Sequence, residues 1–479
     1  MIAPSIEPVP ARAPADPRRA APVTAAAPPA ALAVARRYRS WRIRVFAACW
    51  TMYATYYLCR ANISVAVPEL KKLLGGGQVT PQAELMVGWI MTGLLLAYGF
   101  GQLINGLLGD RFGPRRVATV GMAVSALMNL LFGLAASFPA FLGIWIVNGL
   151  FQATGAPSRI KVMANWFPPQ RRGRMMGLLG TDYVVGNALS WLLSGWLVSS
   201  YGWRWVFLVP SAILAASAVH FWLRVRNAPE DVGLPTIEEQ ERGSGGHGSG
   251  GGKTGADGKP DGQGARATDD RHAGWGFVLR QALLNWRVWV VGLAYFGVDL
   301  FRYGFLAWSF DYLVSHGAPV GKAVLQILML PLVGAVGIVS SGWLTDRLGG
   351  RRAPVISVML LVAAGLAVVF RLLTTEGGGF LLPLVVLGGI GFFLYGPHLL
   401  MGATIAMDLG SRKASATASG VIDWLGYMGA AVAGVGTAWT KTHWGWNGAF
   451  ALWVAAAALA GLLMLTLWNT RSRTDQEYL

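Results

Sequence analysis

Two arginines sit where water should be scarce. Arg60 lies in the apolar stretch YATYYLCRANISVAVPEL, Tyr53 to Leu70, and Arg302 in FRYGFLAWSFDYL, residues 301–313. A guanidinium inside an apolar span is costly and calls for a partner. Tyr53, Tyr57, Arg60 and Ser64 follow i, i+4, i+7, i+11 spacing, which places them on one helix face. Tyr295, Asp299, Arg302 and Ser309 share a face in the same way, as do Tyr98, Gln102 and Asn105. Polar stripes on apolar helices face a water-filled cavity or the bundle interior, so these three predict one polar central chamber. Two arginines facing that chamber suit an oxyanion such as a phosphate dianion. Each planar guanidinium can donate two parallel hydrogen bonds and stays charged when buried.

Other groups could share this chemistry. Asp299 and Arg302 are i, i+3 neighbours and could form an ion pair. Two bare arginines favour a dianion; arginines with nearby carboxylates favour a monoanion, a zwitterion, or an anion taken with a proton. Asp299 could instead only orient Arg302. Asp423 lies one turn from Tyr427, and Asp182 is a further acid in the fifth apolar block, so Asp299, Asp423 and Asp182 are candidate proton sites. His398, three residues after Tyr395, could relay a proton, contact substrate or simply pack. No nucleophile, metal or nucleotide-binding motif is present, and the absence of a Walker loop argues against ATP-driven work. The chain is expected to be no enzyme, with no cofactor and no metal. Cys49 and Cys59 fall on one predicted helix, ~15 Å apart, beyond disulfide reach.

The elements that must carry these residues are membrane helices. Of the 479 residues 54% are hydrophobic and 13% charged, about half the charged share of a soluble chain. Apolar blocks long enough to cross a ~30 Å hydrocarbon core recur throughout. They predict twelve spans, near 43–67, 85–108, 115–136, 139–162, 174–199 and 203–224, then 286–314, 321–344, 353–373, 380–406, 414–439 and 446–468. The fold class expected is an all-α membrane protein of two six-helix halves. Residues 1–40 read as a disordered tail, 41–226 as the first half, 227–274 as a Gly-rich flexible linker, 275–470 as the second half and 471–479 as a tail. The halves repeat: NGLLGDRFGPRR (105–116) and SGWLTDRLGGRR (341–352) share G-x-x-x-D-R-x-G-x-R-R, and Arg60 recurs as Arg302 at a similar offset.

A net charge of +17 would suggest nucleic acid in a soluble protein, but here Arg and Lys gather at alternate ends of the apolar blocks. That distribution predicts cytoplasmic termini and linker, with no nucleic-acid partner. Lys71, Lys72, Arg204, Lys322 and Lys441 fall at the sparsely charged opposite ends. Gly and Ala in GAAVAGVGTA, residues 429–438, predict close helix packing.

The repeated motif, in this setting, resembles the major facilitator superfamily over the whole chain. Four segments are similar to its organophosphate:phosphate antiporter family: TYYLCRAN (55–62), FRYGFLAWSFDYL (301–313), GAPSRIKVMANWF (155–167) and GPHLLMGATIAMDLGSRKASATASGVIDWLGYMGA (396–430). That resemblance implies exchange of a phosphorylated metabolite for inorganic phosphate. It places substrate arginines on Arg60 and Arg302, binding tyrosines on Tyr53, Tyr57, Tyr98 and Tyr427, and a basic position of the fourth span on Lys161. It makes Asp110, Arg111, Arg115, Asp346, Arg347 and Arg351 gate residues that close the cytoplasmic side. Ala61 and Gln102 stand where some members carry lysine, and Asp299 where an aromatic is common. The central charge is therefore less positive than the family pattern. Two other readings follow: a proton-coupled organic-anion symporter using Asp299 or Asp423, and a transporter-like sugar-phosphate sensor. The partners expected are a small anion, inorganic phosphate as counter-substrate and the lipid bilayer. A monomer in a bacterial inner membrane is the expected setting.

Overall fold

In a computed structural model the described residues are 29–168, 175–176, 178–237, 239, 284–375, 379–405 and 415–469, excluding the side chains of 29–32, 103, 106, 107, 110, 346, 375, 403–405 and 415–419. They are helical, with no strand among them. The first half comprises α1 (Pro29–Leu58), α2 (Ile63–Leu74), α3 (Pro81–Phe112), α4 (Pro114–Leu134), α5 (Phe138–Gln152), α6 (Gly155–Trp166), α7 (Thr181–Ser200) and α8 (Trp205–Arg224). The second comprises α9 (Trp286–Ser315), α10 (Val320–Arg347), α11 (Arg352–Thr375), α12 (Leu381–Leu399, continued by a π-turn Leu400–Ile405) and α13 (Ser415–Leu465). Helix α1 begins at Pro29, inside the segment expected to be a disordered tail. The start of the expected linker also departs from that reading. It docks on the first half, where Arg37 Nη2 donates to the Val232 carbonyl at 3.1 Å and the Tyr38 hydroxyl to that of Pro235.

Local chemistry explains the helix ends. The Thr80 hydroxyl caps α3 by accepting from Ala83 N at 3.2 Å, with Pro81 in the first turn. The shared G-x-x-x-D-R-x-G-x-R-R motif carries a positive-φ glycine at both helix junctions, in a one-residue link in the first half and a four-residue link in the second. Gly113 between α3 and α4 has φ +83°, and Gly349 and Gly350 between α10 and α11 have φ +63° and +73°. Only glycine enters that region without a steric cost.

Eight helices among the described residues are long and apolar enough to cross a membrane. One of these runs, Gly420–Leu465, has 46 residues and would measure ~70 Å if straight, more than twice the hydrocarbon core. It is not straight. Gly445, at φ 64° and ψ −161°, breaks α13 into two arms, and Trp453 Nε1 folds back to donate to Thr437 Oγ1 at 2.8 Å. The arms correspond to the expected spans 414–439 and 446–468.

The halves meet along α2 with α9, α3 with the first arm of α13, and α7 with α10. The last two contacts are equivalents under the internal repeat. One apolar core runs through both halves, joining Ile63–Leu70 and Val87–Leu95 to α9, α10 and α13. A second core belongs to the first half alone, from Tyr38 to Leu234. The halves are thus fused at the end that holds Leu70 and Val87, away from the motif turns. Close packing is achieved with glycine. A Cβ at Gly429 would lie 2.0 Å from the Phe296 carbonyl oxygen, and one at Gly434 would lie 2.5 Å from Thr92 Oγ1. Gly429→Val is expected to push α13 off α9 and cost ~1–3 kcal/mol or more of stability. A lowered melting temperature and loss of a monodisperse peak in detergent check it.

Candidate functional site

The site begins with a broken helix. Between α1 and α2 the chain tightens into i→i−3 bonds: Cys59 N to Tyr56 O at 3.1 Å, Arg60 N to Tyr57 O at 3.2 Å and Ser64 N to Ala61 O at 3.2 Å. Carbonyls released by such a turn need partners when buried. Amide side chains from α4 and α5 supply them. Cys59 O accepts from Asn129 Nδ2 at 3.1 Å, Asn148 Nδ2 at 3.2 Å and Gln152 Nε2 at 3.4 Å. Arg60 is carried on this turn. Its Nε and Nη2 both donate to Gln152 Oε1, at 3.3 and 3.2 Å, and its guanidinium lies over the rings of Tyr57 and Tyr98, 4.8 and 4.3 Å from their centroids. Gln152 therefore fixes both the broken backbone and the arginine. Gln152 was not among the expected site residues, although polar amides at i and i+4, Asn148 and Gln152, in an otherwise apolar helix were the available signal.

Arg302 sits in unbroken α9. Its guanidinium lies 5.0 Å from the Tyr303 ring centroid and 5.4 Å from that of Tyr395. Nη1 makes a long contact with Asp299 Oδ1, 3.5 Å, and Nε has no hydrogen-bond partner among the described residues. Arg60 is 7% exposed and Arg302 4%. Both line one cavity, with Tyr57, Ser64, Tyr303 and an apolar wall that includes Trp145 and Trp191. Burying a charge with unspent donors is costly unless an anion can use them. The cavity therefore offers two desolvated guanidiniums, one from each half, to a shared oxyanion.

The other expected site residues distribute around this pair. Tyr57 lines the cavity. Tyr98 is buried against Arg60, and its ring meets Tyr427 at 4.8 Å, while Gln102 Nε2 donates to the Tyr427 hydroxyl at 3.3 Å. These contacts join α3 to α13 and close the chamber on its motif-bearing side, as does the stack of Tyr183 on Tyr395 at 6.3 Å. Tyr53 lies beneath Arg159, whose guanidinium is 3.5 Å from the ring centroid. Arg159 pairs with Asp182, which is fully buried, so Asp182 is engaged in an ion pair. Asp299 Oδ1 touches both Arg302 and His398 Nδ1, the latter at 3.1 Å. Lys161 is placed elsewhere: its Nζ donates to the Gly109 carbonyl at 3.3 Å, near the motif turn. Among the expected gate residues, the side chains of Asp110 and Asp346 lie outside the described residues. Arg115 donates to the Trp222 carbonyl through Nε and Nη2 at 3.0 and 2.7 Å; Arg111 lies over Phe112 and Arg347 over Trp343. Arg351 lines a separate surface groove with Trp343 and Trp468.

At the opposite end the chamber is closed by charge. Lys71 Nζ contacts Glu84 Oε1 at 3.2 Å and Asp311 Oδ1 at 2.6 Å; Lys441 Nζ contacts Glu84 Oε1 at 2.6 Å and Asp311 Oδ2 at 3.1 Å. The four side chains are 2–11% exposed, and they come from α2, α3, α9 and α13. Each half gives one acid and one base.

The Major Facilitator Superfamily model matches residues 49–434. The chain is 29% identical over 446 residues to a probable hexose phosphate transport protein of Chlamydia pneumoniae, covering 92% of this chain and 94% of that one. It is 27% identical over 439 residues to the membrane sensor protein UhpC of Escherichia coli, covering 91% and 94%. The crystal structure of a bacterial homolog of the human lysosomal transporter Spinster, inward-facing and unoccupied, superposes with a TM-score of 0.66 at 17% identity, over 89% of this chain and 95% of that one. This fold, with an arginine from each half turned toward one chamber, belongs to the major facilitator superfamily, and within it the chain is a member of the organophosphate:phosphate antiporter family.

Proposed function

We propose that this protein exchanges a small phosphorylated anion for inorganic phosphate across a bacterial inner membrane. In this reading twelve spans cross the bilayer, the broken pairs α1–α2 and α5–α6 each counting as one and the two arms of α13 as two, with both termini in the cytoplasm. One observation carries the proposal: Arg60 and Arg302, contributed by different halves, line the same cavity, and Arg302 keeps a donor, Nε, unspent. An anion bridging them draws the halves together and stabilises the closed chamber; the halves then rock about the occupied site. Without an anion two buried guanidiniums repel, so an empty carrier returns slowly and exchange prevails over leak. Asp110, Arg111, Arg115, Asp346, Arg347 and Arg351 are assigned to locking the cytoplasmic end, and the Lys71–Glu84–Asp311–Lys441 cluster to locking the other.

Reconstitution tests this directly. Purified protein in liposomes preloaded with phosphate should take up labelled phosphate and phosphate esters, and liposomes without internal phosphate should take up at least tenfold less. Binding of esters with no flux under any loading overturns transport and supports a sensor.

A further inference from the structure

The wall behind Arg302 contains more acid than an anion site needs. Asp299 Oδ1 is shared between Arg302 Nη1 at 3.5 Å and His398 Nδ1 at 3.1 Å. The His398 contact is close but off the line of a hydrogen bond, and the ring stacks on Tyr295 with centroids 5.2 Å apart. Asp423 reaches the same place from α13. A Cβ at Gly402 would lie 2.7 Å from the Tyr295 hydroxyl and 3.6 Å from Asp423 Oδ1, and one at Gly426 would lie 2.9 Å from Asp299 Oδ2. Among the described residues Asp423 makes no hydrogen bond or ion pair. Beside it the Arg302 side chain, 5% exposed, leaves Nε without a partner.

The charges facing this wall can be taken element by element. Helix α9 presents Asp299, Arg302, Tyr295 and Tyr303; α12 presents His398 and Tyr395; α13 presents Asp423 and Tyr427. From the first half come Arg60 with Tyr57, Tyr98 and Tyr183, and the Arg159–Asp182 pair, which is neutral as a unit. With Asp299 and Asp423 both ionised, their charge cancels that of Arg60 and Arg302, and the chamber exerts no net pull on an anion. Each proton accepted by the Asp299–His398–Asp423 cluster restores one positive charge.

We propose that this cluster is a proton-binding site coupled to the anion site, so that the anion binds together with a proton taken from water onto the Asp423 carboxyl. This deepens the exchange reading and rests on it. Linkage makes the effect reciprocal: a proton that favours the anion is itself favoured by the anion. Where one proton is linked, apparent affinity rises about tenfold for each unit fall in pH.

The experiment is calorimetric titration of the full-length protein in detergent with inorganic phosphate, between about pH 6 and 8, in buffers of different ionisation enthalpy. Phosphate titrates in this range itself, and free in solution it does so identically whichever variant is present. The wild type should take up about one proton more per phosphate bound than Asp423→Asn. Asp423→Asn should hold phosphate with an affinity nearly independent of pH beyond phosphate's own titration, and Asp423→Glu should restore the proton. Wild-type affinity that is equal at both ends of the range once phosphate's own titration is subtracted overturns the inference without any variant, as does equal proton uptake by wild type and Asp423→Asn. Failure of the wild type to bind phosphate at any pH instead defeats the exchange reading.

Discussion

Replacing Arg60 or Arg302 by lysine is expected to reduce phosphate exchange in proteoliposomes by at least a hundredfold, with the protein still folded. Lysine keeps the charge, so a simple need for positive potential would be met. What it loses is the planar fork. A hydrogen bond to a charged group is worth ~1.5–3 kcal/mol, and a fork that becomes a point charge loses about one such bond and the fixed angle of the other. Two bonds weakened correspond to a factor of ~10²–10⁴ at 1.4 kcal/mol per decade. Arg60→Lys carries a second penalty, because Gln152 Oε1 now accepts from both Nε and Nη2 of Arg60 and would lose both. Gln152→Ala should therefore fall between wild type and Arg60→Lys. Exchange above a tenth of wild type in either lysine variant removes the bidentate basis of the site. Initial rates of labelled phosphate uptake, normalised to protein incorporated, decide the matter.

Breaking the four-charge cluster should have an effect of similar size on a different quantity, the state of the gate. Asp311→Asn leaves Lys71 and Lys441 with only Glu84 between them. Removing one partner from a buried ionic group costs ~3–5 kcal/mol, because the remaining charge stays out of water. That cost falls on the closed state alone. The open state at this end should rise in population by ~10²–10³-fold. Ser64→Cys, in the cavity wall, reports it: a membrane-impermeant thiol reagent added from this end should label the single variant slowly and the Asp311→Asn combination fast. The native Cys49 and Cys59 are buried and free, so the background is low. Pairing Asp311→Asn with Lys441→Gln leaves Lys71 with Glu84, a neutral pair, and should recover most of the closed state. Equal labelling of all three proteins removes the gate assignment.

The parts of this site that could be read from residues alone were those that violate a local rule. Arg60 and Arg302 stand in apolar spans where a permanent charge has no structural reason to be. Their helical spacing from Tyr57 and Asp299 placed the right companions beside them. The two motif junctions were legible because the same G-x-x-x-D-R-x-G-x-R-R string recurs between apolar blocks, and Gly113 and Gly349 take positive φ there. The cluster of Lys71, Glu84, Asp311 and Lys441 was not legible. Each of these residues lies near a span end and satisfies the ordinary rule for an interfacial anchor. Their convergence depends on contacts between residues 240 and 357 positions apart, which no local pattern encodes. Lys161 stands apart from the chamber residues: its sequence neighbourhood fits a site residue, while its ammonium donates to the Gly109 carbonyl near the motif turn. The break at Cys59–Asn62 also escaped reading, since it contains neither glycine nor proline; it is stabilised from outside by Asn129, Asn148 and Gln152.

That break has no counterpart in the repeat. Helix α9 runs without interruption from Trp286 through Arg302 to Ser315, whereas the equivalent segment of the first half changes hydrogen-bond register at Arg60. Two copies of one ancestral unit have thus diverged mechanically, one into a stiff lever and the other into a jointed arm. A force delivered at the anion is transmitted whole along the lever but bends the arm at its elbow. Lys71, at the far end of that arm, can then swing out while the rest of its half stays in place.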